Sequence, residues 1–363
     1  MIYSNLRPLN AEPVTVPANF LGMTSLTATH VAAGTDVIYK HTRSWGYYRY
    51  AEGLSYPAGG KYLAMNTLNP ASGVFNWVQF DLFFSQNKAT CAEFIFCLGF
   101  PSDYLVSTAA SGSPELGGKS NKCPTDLTAW ASVVTEMATR AKNLHGVTGI
   151  VWELWNEFDV QTGQFWLDSF TNMAAYARST ALAARAVDPT CKIAGPSISG
   201  TGNGPGYISS FMQASDGAGG FGRDWIDCIG FHPYQPFQPD TVDVYVARVF
   251  LLKSAVKSGG NANLPLWITE TGIPSSAIGG LPVDPNGSKS WARRLICHAA
   301  LGVQRLTGFG IDEDHEGYGI KPFLSGWNRA AALLSNSPKI QAFYDPATGY
   351  VVAVINGTAY TFD

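Results

Sequence analysis

The sequence has no Cys-x-x-Cys pair, and its six cysteines (Cys91, Cys97, Cys123, Cys191, Cys228 and Cys297) are scattered along the chain. Neither a zinc site nor a dense disulfide framework is indicated, and no metal or cofactor is expected. Cys91, Cys97, Cys191 and Cys228 lie in or beside apolar runs and are expected to be buried free thiols. Charge is also scarce: charged residues make up 14% of the chain, with 24 Lys and Arg against 27 Asp and Glu and no long run of either sign. A net charge of −3 argues against a nucleic-acid or anionic-membrane surface and favours a neutral small molecule or glycan. No stretch approaches the roughly 18 uninterrupted apolar residues of a membrane span. The first residues lack a charged start followed by an apolar stretch of about 7–15 residues, so no secretory signal is expected. Action outside the cell, or release by lysis, is the expected localisation, with a monomer as the expected assembly.

Aromatics, by contrast, are abundant at 13% of the chain, more than a core alone usually requires. Apolar runs of strand length alternate with longer segments of helical period, the pattern of repeated βα units around a parallel sheet. Candidate strands cover 20–24, 37–42, 93–99, 149–154, 192–195, 226–231, 266–269 and 307–311. Candidate helices cover 80–88, 125–144, 165–187, 207–214, 241–257, 289–304 and 327–335, with Asp126 and Asp240 offering oxygens near two of the starts. Eight strands fit a closed (β/α)8 TIM barrel, which needs about 250 of the residues present. The weakest unit is the first, because 25–36 is short and rich in Thr, Ala and Gly. The tail alternates apolar and polar residues about turn-forming dipeptides, which predicts a short C-terminal antiparallel β appendage. The expected division is a catalytic barrel over 1–335 and a small β-hairpin over 336–363.

Two glutamates each close an apolar strand-like run. Ile150-Val151-Trp152-Glu153-Leu154-Trp155 leads through Asn156 to Glu157, and Leu264-Pro265-Leu266-Trp267-Ile268 leads through Thr269 to Glu270. In a parallel barrel the strand ends form the active-site edge. Breaking a glycosidic bond requires one carboxyl group to protonate the leaving oxygen and another to attack, or activate water against, the anomeric carbon. Charged residues at strand ends also occur as solvated caps, and Asn156 can be either a turn residue or an amide that binds a sugar hydroxyl or a carboxylate. On a strand's two-residue period, His232 and Tyr234 face one side, toward the barrel axis or mouth. Trp45 and Trp155 suit either sugar platforms or core.

The stretch Trp152-Glu153-Leu154-Trp155-Asn156-Glu157, with Ile268-Thr269-Glu270-Thr271-Gly272 downstream, resembles glycoside hydrolase clan A, and most closely family 39 and its exopolysaccharide-degrading endoglycosidase relatives. Arg43-Ser44-Trp45-Gly46, Gly73-Val74-Phe75-Asn76-Trp77 through Asp81, and Phe231-His232-Pro233-Tyr234 resemble further motifs of that family in the same order. The resemblance spans residues 20 to 311 and implies a retaining double displacement. Glu157 would be the general acid/base, Glu270 the nucleophile, and Asn156 the group holding the hydroxyl next to the anomeric carbon. It also places Arg43 at the end of the second strand, where it could donate to Glu270, with His232, Tyr234 and Trp45 near the substrate. A retaining pair should lie about 5–5.5 Å apart. Glu157 has to keep its proton, so burial among Trp155 and Phe158 and the negative field of Glu270 are expected to raise its pKa.

Two departures stand out. Phe158 replaces the proline that commonly follows the family's Asn-Glu pair, and Phe309 is the nearest candidate for its aromatic near the eighth strand end. The segment Asp312-Glu313-Asp314-His315-Glu316 is rich in oxygen ligands but matches no standard metal loop, and reads as a solvated rim or a substrate-contacting loop. The expected activity is hydrolysis of a polysaccharide or oligosaccharide, with internal cleavage favoured by long glycine-rich loops that could frame a groove. An exo-acting glycosidase of the β-xylosidase type, a non-catalytic glycan-binding barrel and a metal-dependent hydrolase are the alternatives.

Overall fold

A computed structural model describes residues 6–24, 37, 39–44, 65, 68–106, 121–160, 165–199, 203–234, 242–273, 286–309, 320 and 323–362. Eight parallel strands close on themselves: β3 (Leu21–Thr24), β4 (His41–Ser44), β5 (Glu93–Cys97), β6 (Val151–Glu153), β7 (Lys192–Ile198), β8 (Cys228–Phe231), β9 (Leu266–Thr271) and β10 (Arg305–Gly308), with β10 returning to β3. The expected (β/α)8 barrel is what forms. Helices flank it: α1 (Val78–Asn87), α2 (Leu127–His145), α3 (Phe170–Val187), α4 (Gly204–Gln213), α5 (Val242–Ser258), α6 (Gly287–Ala300) and α7 (Leu324–Leu334).

Local chemistry accounts for several boundaries. The side chain of Asp126 accepts from the backbone N–H of Thr128 and Ala129 and so caps α2, while Gly146 ends it in the left-handed conformation at φ 67°. Helix α3 starts at Phe170, later than 165, because the Ser169 hydroxyl accepts from Asn172 N. The second barrel strand is His41–Ser44, displaced from the expected 37–42. Its residues read as polar, yet all four are buried, since this strand carries polar groups into the barrel. The 25–36 segment and Asp240 lie outside the described residues, as do Trp45 and Asp312 to Glu316.

Inside the barrel, Ile95, Val151, Ala194, Cys228 and Trp267 form a separate apolar layer. Below it, Glu93 accepts from Arg305, whose guanidinium covers the Trp267 ring at 4.9 Å. Side chains alternate along a strand, so the residues two positions on (Cys97, Glu153, Gly230, Thr269) face the axis one layer nearer the C-terminal mouth. Pairing slips at two places. Between β9 and β10, Ile268 pairs with Leu306 but Thr271 with Gly308; between β7 and β8, Gly195 pairs with Ile229 but Ile198 with Phe231. Each slip gives one strand an extra residue, at the ends that carry Glu270 and Ser197.

The tail folds as β11 (Lys339–Tyr344), β12 (Val351–Ile355) and β13 (Thr358–Phe362), an antiparallel sheet lying on α6. Two short strands from the other end of the sequence, β1 (Arg7–Pro8) and β2 (Val14–Thr15), pair with β11 and complete five strands. All six cysteines are buried free thiols, and no described helix is long and apolar enough to cross a membrane.

Candidate active site

Arg43 on β4 is fully buried and holds the site together. Its Nε donates to Glu153 Oε2 at 2.6 Å, Nη1 to Glu270 Oε2 at 2.7 Å and Nη2 to Asn156 Oδ1 at 2.9 Å. Burial works against its charge, but the carboxylates of Glu153 and Glu270 outweigh that and hold the guanidinium protonated. Glu270 receives a second donor, the Tyr234 hydroxyl, on Oε1 at 2.6 Å. On strict alternation from Trp267 and Thr269, Glu270 would face the outer helices; the extra residue at the end of β9 turns it to the mouth.

Glu157 approaches from the loop after β6. Its backbone lies in the left-handed region at φ 48°, which costs a non-glycine residue about 1–3 kcal/mol and persists only where the surroundings enforce it. Ser197, at the other irregular strand end, does so. It donates from N and Oγ to the Trp155 carbonyl, accepts from Glu157 N on Oγ at 3.4 Å and accepts from Phe158 N on its carbonyl at 3.1 Å. Phe158, where the family commonly has proline, therefore uses an N–H that proline lacks. Its ring is buried against Trp166 and Tyr207.

Glu157 Oε1 meets His232 Nδ1 at 2.9 Å, and His232 Nε2 meets Thr269 Oγ1 at 3.1 Å. Burial lowers the His232 pKa to about 4, so the imidazole is neutral around pH 7. Burial also raises the Glu157 carboxyl to about 7; Arg43 opposes this, and the charge of Glu153 reinforces it. Only 18% of the Glu157 side chain and 7% of that of Glu270 reach solvent, which makes both reachable at the mouth.

One carboxylate oxygen of Glu157, one of Glu270 and a ring nitrogen of His232 lie within 4.8 Å of one another. That spacing could hold a cation. However, Arg43 already gives Glu270 a buried positive charge, and an ion placed there would face that guanidinium in a low-dielectric setting. The same closeness of one oxygen from each glutamate puts the two carboxyl groups on a single small space, as a pair that flanks one glycosidic bond requires.

Six of the seven expected site residues, Arg43, Asn156, Glu157, His232, Tyr234 and Glu270, converge here; the seventh, Trp45, lies outside the described residues. Trp155 is core, fully buried with Nε1 donating to the Phe165 carbonyl, so it offers no sugar platform. Phe309 is buried with its ring 6.2 Å from that of Tyr234. Glu153, Ser197 and Thr269 also serve the site, although the sequence assigns none of them a role. For Glu153 and Thr269 the two-residue alternation from Val151 and Trp267 carried the signal; for Ser197, at an irregular strand end, there was none.

No protein-family model matches the chain, and no curated protein matches it in sequence. Solved structures do. A glucosidase from Croceicoccus marinus superposes with a TM-score of 0.64 at 12% identity, over 96% of this chain and 75% of that one. A family 39 glycoside hydrolase from Xanthomonas axonopodis pv. citri gives 0.62 at 17% identity, over 96% and 73%. A family 39 β-xylosidase from Caulobacter crescentus gives 0.61 at 16% identity, over 95% and 79%. This chain thus has the barrel fold seen in family 39 glycoside hydrolases.

Proposed function

We propose that this protein is a retaining O-glycosyl hydrolase in which Glu157 is the acid/base and Glu270 the nucleophile. The observation that carries the reading is that two carboxyl groups, with one oxygen of each within 4.8 Å of the other, stand in opposite environments. One is raised to about 7 beside a neutral imidazole, and the other is held by a guanidinium and a phenol hydroxyl. Near neutral pH the first can give a proton while the second attacks. A glycan-binding barrel without catalysis would require neither this pairing nor this asymmetry.

In the first step Glu157 transfers its proton to the glycosidic oxygen as a Glu270 oxygen bonds to the anomeric carbon. The bond to the leaving alcohol breaks and a glycosyl ester forms. Arg43 donates to one oxygen of the carboxylate and Tyr234 to the other, which holds Glu270 in place for attack. In the second step the Glu157 carboxylate removes a proton from water, the water oxygen bonds to the anomeric carbon, and the ester bond breaks to restore Glu270. Asn156, oriented through its Oδ1 by Arg43, keeps its amide N–H groups for a sugar hydroxyl.

The substrate we infer is a neutral polysaccharide cut internally. Structural neighbours named glucosidase and β-xylosidase favour a second reading, removal of terminal sugars. Product sizing on a polysaccharide panel separates them: internal cleavage gives oligosaccharide ladders, whereas terminal cleavage gives a single small sugar from the outset. The test of the mechanism is proton NMR of freshly released product, which should keep the anomeric configuration of the substrate; inversion would end the reading.

A further inference from the structure

Beneath the glutamate pair lies a third carboxylate with no part in the steps above. Glu153, on β6, is fully buried. Oε2 accepts from Arg43 Nε, and Oε1 is buried with no hydrogen-bond partner among the described residues. Leaving a buried carboxylate oxygen unpaired is unfavourable, and a well-packed apolar side chain would avoid it. Gly230 preserves the space, since a Cβ there would come within 3.0 Å of Oε1.

The guanidinium is planar, so fixing Nε fixes the directions of both Nη groups. With Nε on Glu153, Nη1 is aimed at Glu270 and Nη2 at Asn156. We propose that Glu153 is a positioning residue: it orients Arg43 from inside the barrel, thereby placing Glu270 and Asn156, and sets a carboxylate below Glu157. The proposal rests on the glycosidase reading for its effect on turnover and on the geometry alone for its effect on Glu157. The charged or titratable groups facing Glu157 among the described residues are Arg43 from β4, Glu153 from β6, Asp159 from its own loop, His232 from β8 and Glu270 from β9. Of these, Glu153 is a carboxylate that raises the proton affinity of Glu157, in addition to the larger effect of burial.

The test is Glu153→Gln, which keeps the shape and removes the charge. Carbon-13 NMR of carboxyl-labelled glutamate, with the Glu157 signal assigned by its loss in Glu157→Gln, follows the Glu157 titration directly. In Glu153→Gln its midpoint should fall by about one pH unit. On an aryl glycoside kcat should fall about tenfold or more with KM nearly unchanged, as expected when an interaction matters in the transition state rather than in binding. A purely structural Glu153 would lower stability but leave the midpoint in place; a folded Gln variant with wild-type midpoint and kcat overturns the proposal. Should Glu153→Gln not fold, Glu153→Asp retains the charge but not the reach, and should lose turnover with an unchanged midpoint. Wild-type turnover in the Asp variant, or failure of both variants to fold, assigns Glu153 to the fold and also overturns it. If the wild-type protein cleaves no glycoside, the proposed function fails while the NMR midpoint remains readable, so the two readings fail separately.

Discussion

Glu157 combines a left-handed backbone, a neutral imidazole partner and a carboxyl raised by burial to about 7. As the acid, it acts only while protonated, so kcat/KM should fall as pH rises through about 7; a pH–rate profile checks this limb. Replacing Glu157 by Gln should lower turnover on an unactivated glycoside by about 100- to 10,000-fold. Glu270→Gln should lose at least as much, because the attacking oxygen itself is gone. Circular dichroism should show both variants folded, and wild-type rates in either would overturn the role assignments. Tyr234→Phe removes a donor to Glu270 and should reduce kcat about 10- to 100-fold, the worth of a hydrogen bond to a charged group. Both glutamates were legible in the sequence because each closes an apolar run. The facing of Glu270 was not, since alternation alone turns it outward and the extra residue that re-aims it leaves no mark in composition.

Elements were read most accurately where pattern and capping agree. Helix α2 was legible to within a few residues because its apolar period runs from an acceptor at Asp126 to a glycine at Gly146. Asp126→Ala should lower stability by about 1 kcal/mol, measurable by denaturant titration. Strand β4 was misplaced because Val37 and Tyr39 look more strand-like than His41-Thr42-Arg43-Ser44. What buries those polar side chains is the partners they find across the barrel, such as Thr307 for His41 and three acceptors for Arg43. Such partners come from strands distant in sequence, so local hydropathy cannot register them. Helices α6 and α7 meet closely at Gly326, where a Cβ would come within 1.6 Å of the Ser288 carbonyl oxygen. Backbone cannot yield as a flexible side chain can, so Gly326→Ala should destabilise by about 2 kcal/mol or more, visible as a lower Tm.

At the scale of the molecule, pH acts through buried imidazoles. Burial lowers His41 and His232 to about 4 and His298 to about 3, below their unfolded value near 6.5. Between about pH 6.5 and 4 the unfolded chain binds these protons and the folded one does not, so stability should fall as pH falls through that window. Glu157 and Asp159, raised by burial, act in the opposite direction but are fewer. Thermal melts from pH 7 to 5 should therefore show a falling Tm; a rising one would mean that these histidines are solvated.

The eight-strand count was legible in the alternation of runs, whereas the recruitment of β1 and β2 to the tail was not, because strands of two residues carry no periodicity. That recruitment gives the molecule a clasp. Residues 7 and 362 sit on opposite edges of one small sheet, β1-β11-β12-β13, so at ~4.8 Å between neighbouring strands they are separated by only about 15 Å. Stretched between those two points in an optical trap, the protein should give way first at this clasp, and the barrel with its paired acids should resist until a second, larger rupture.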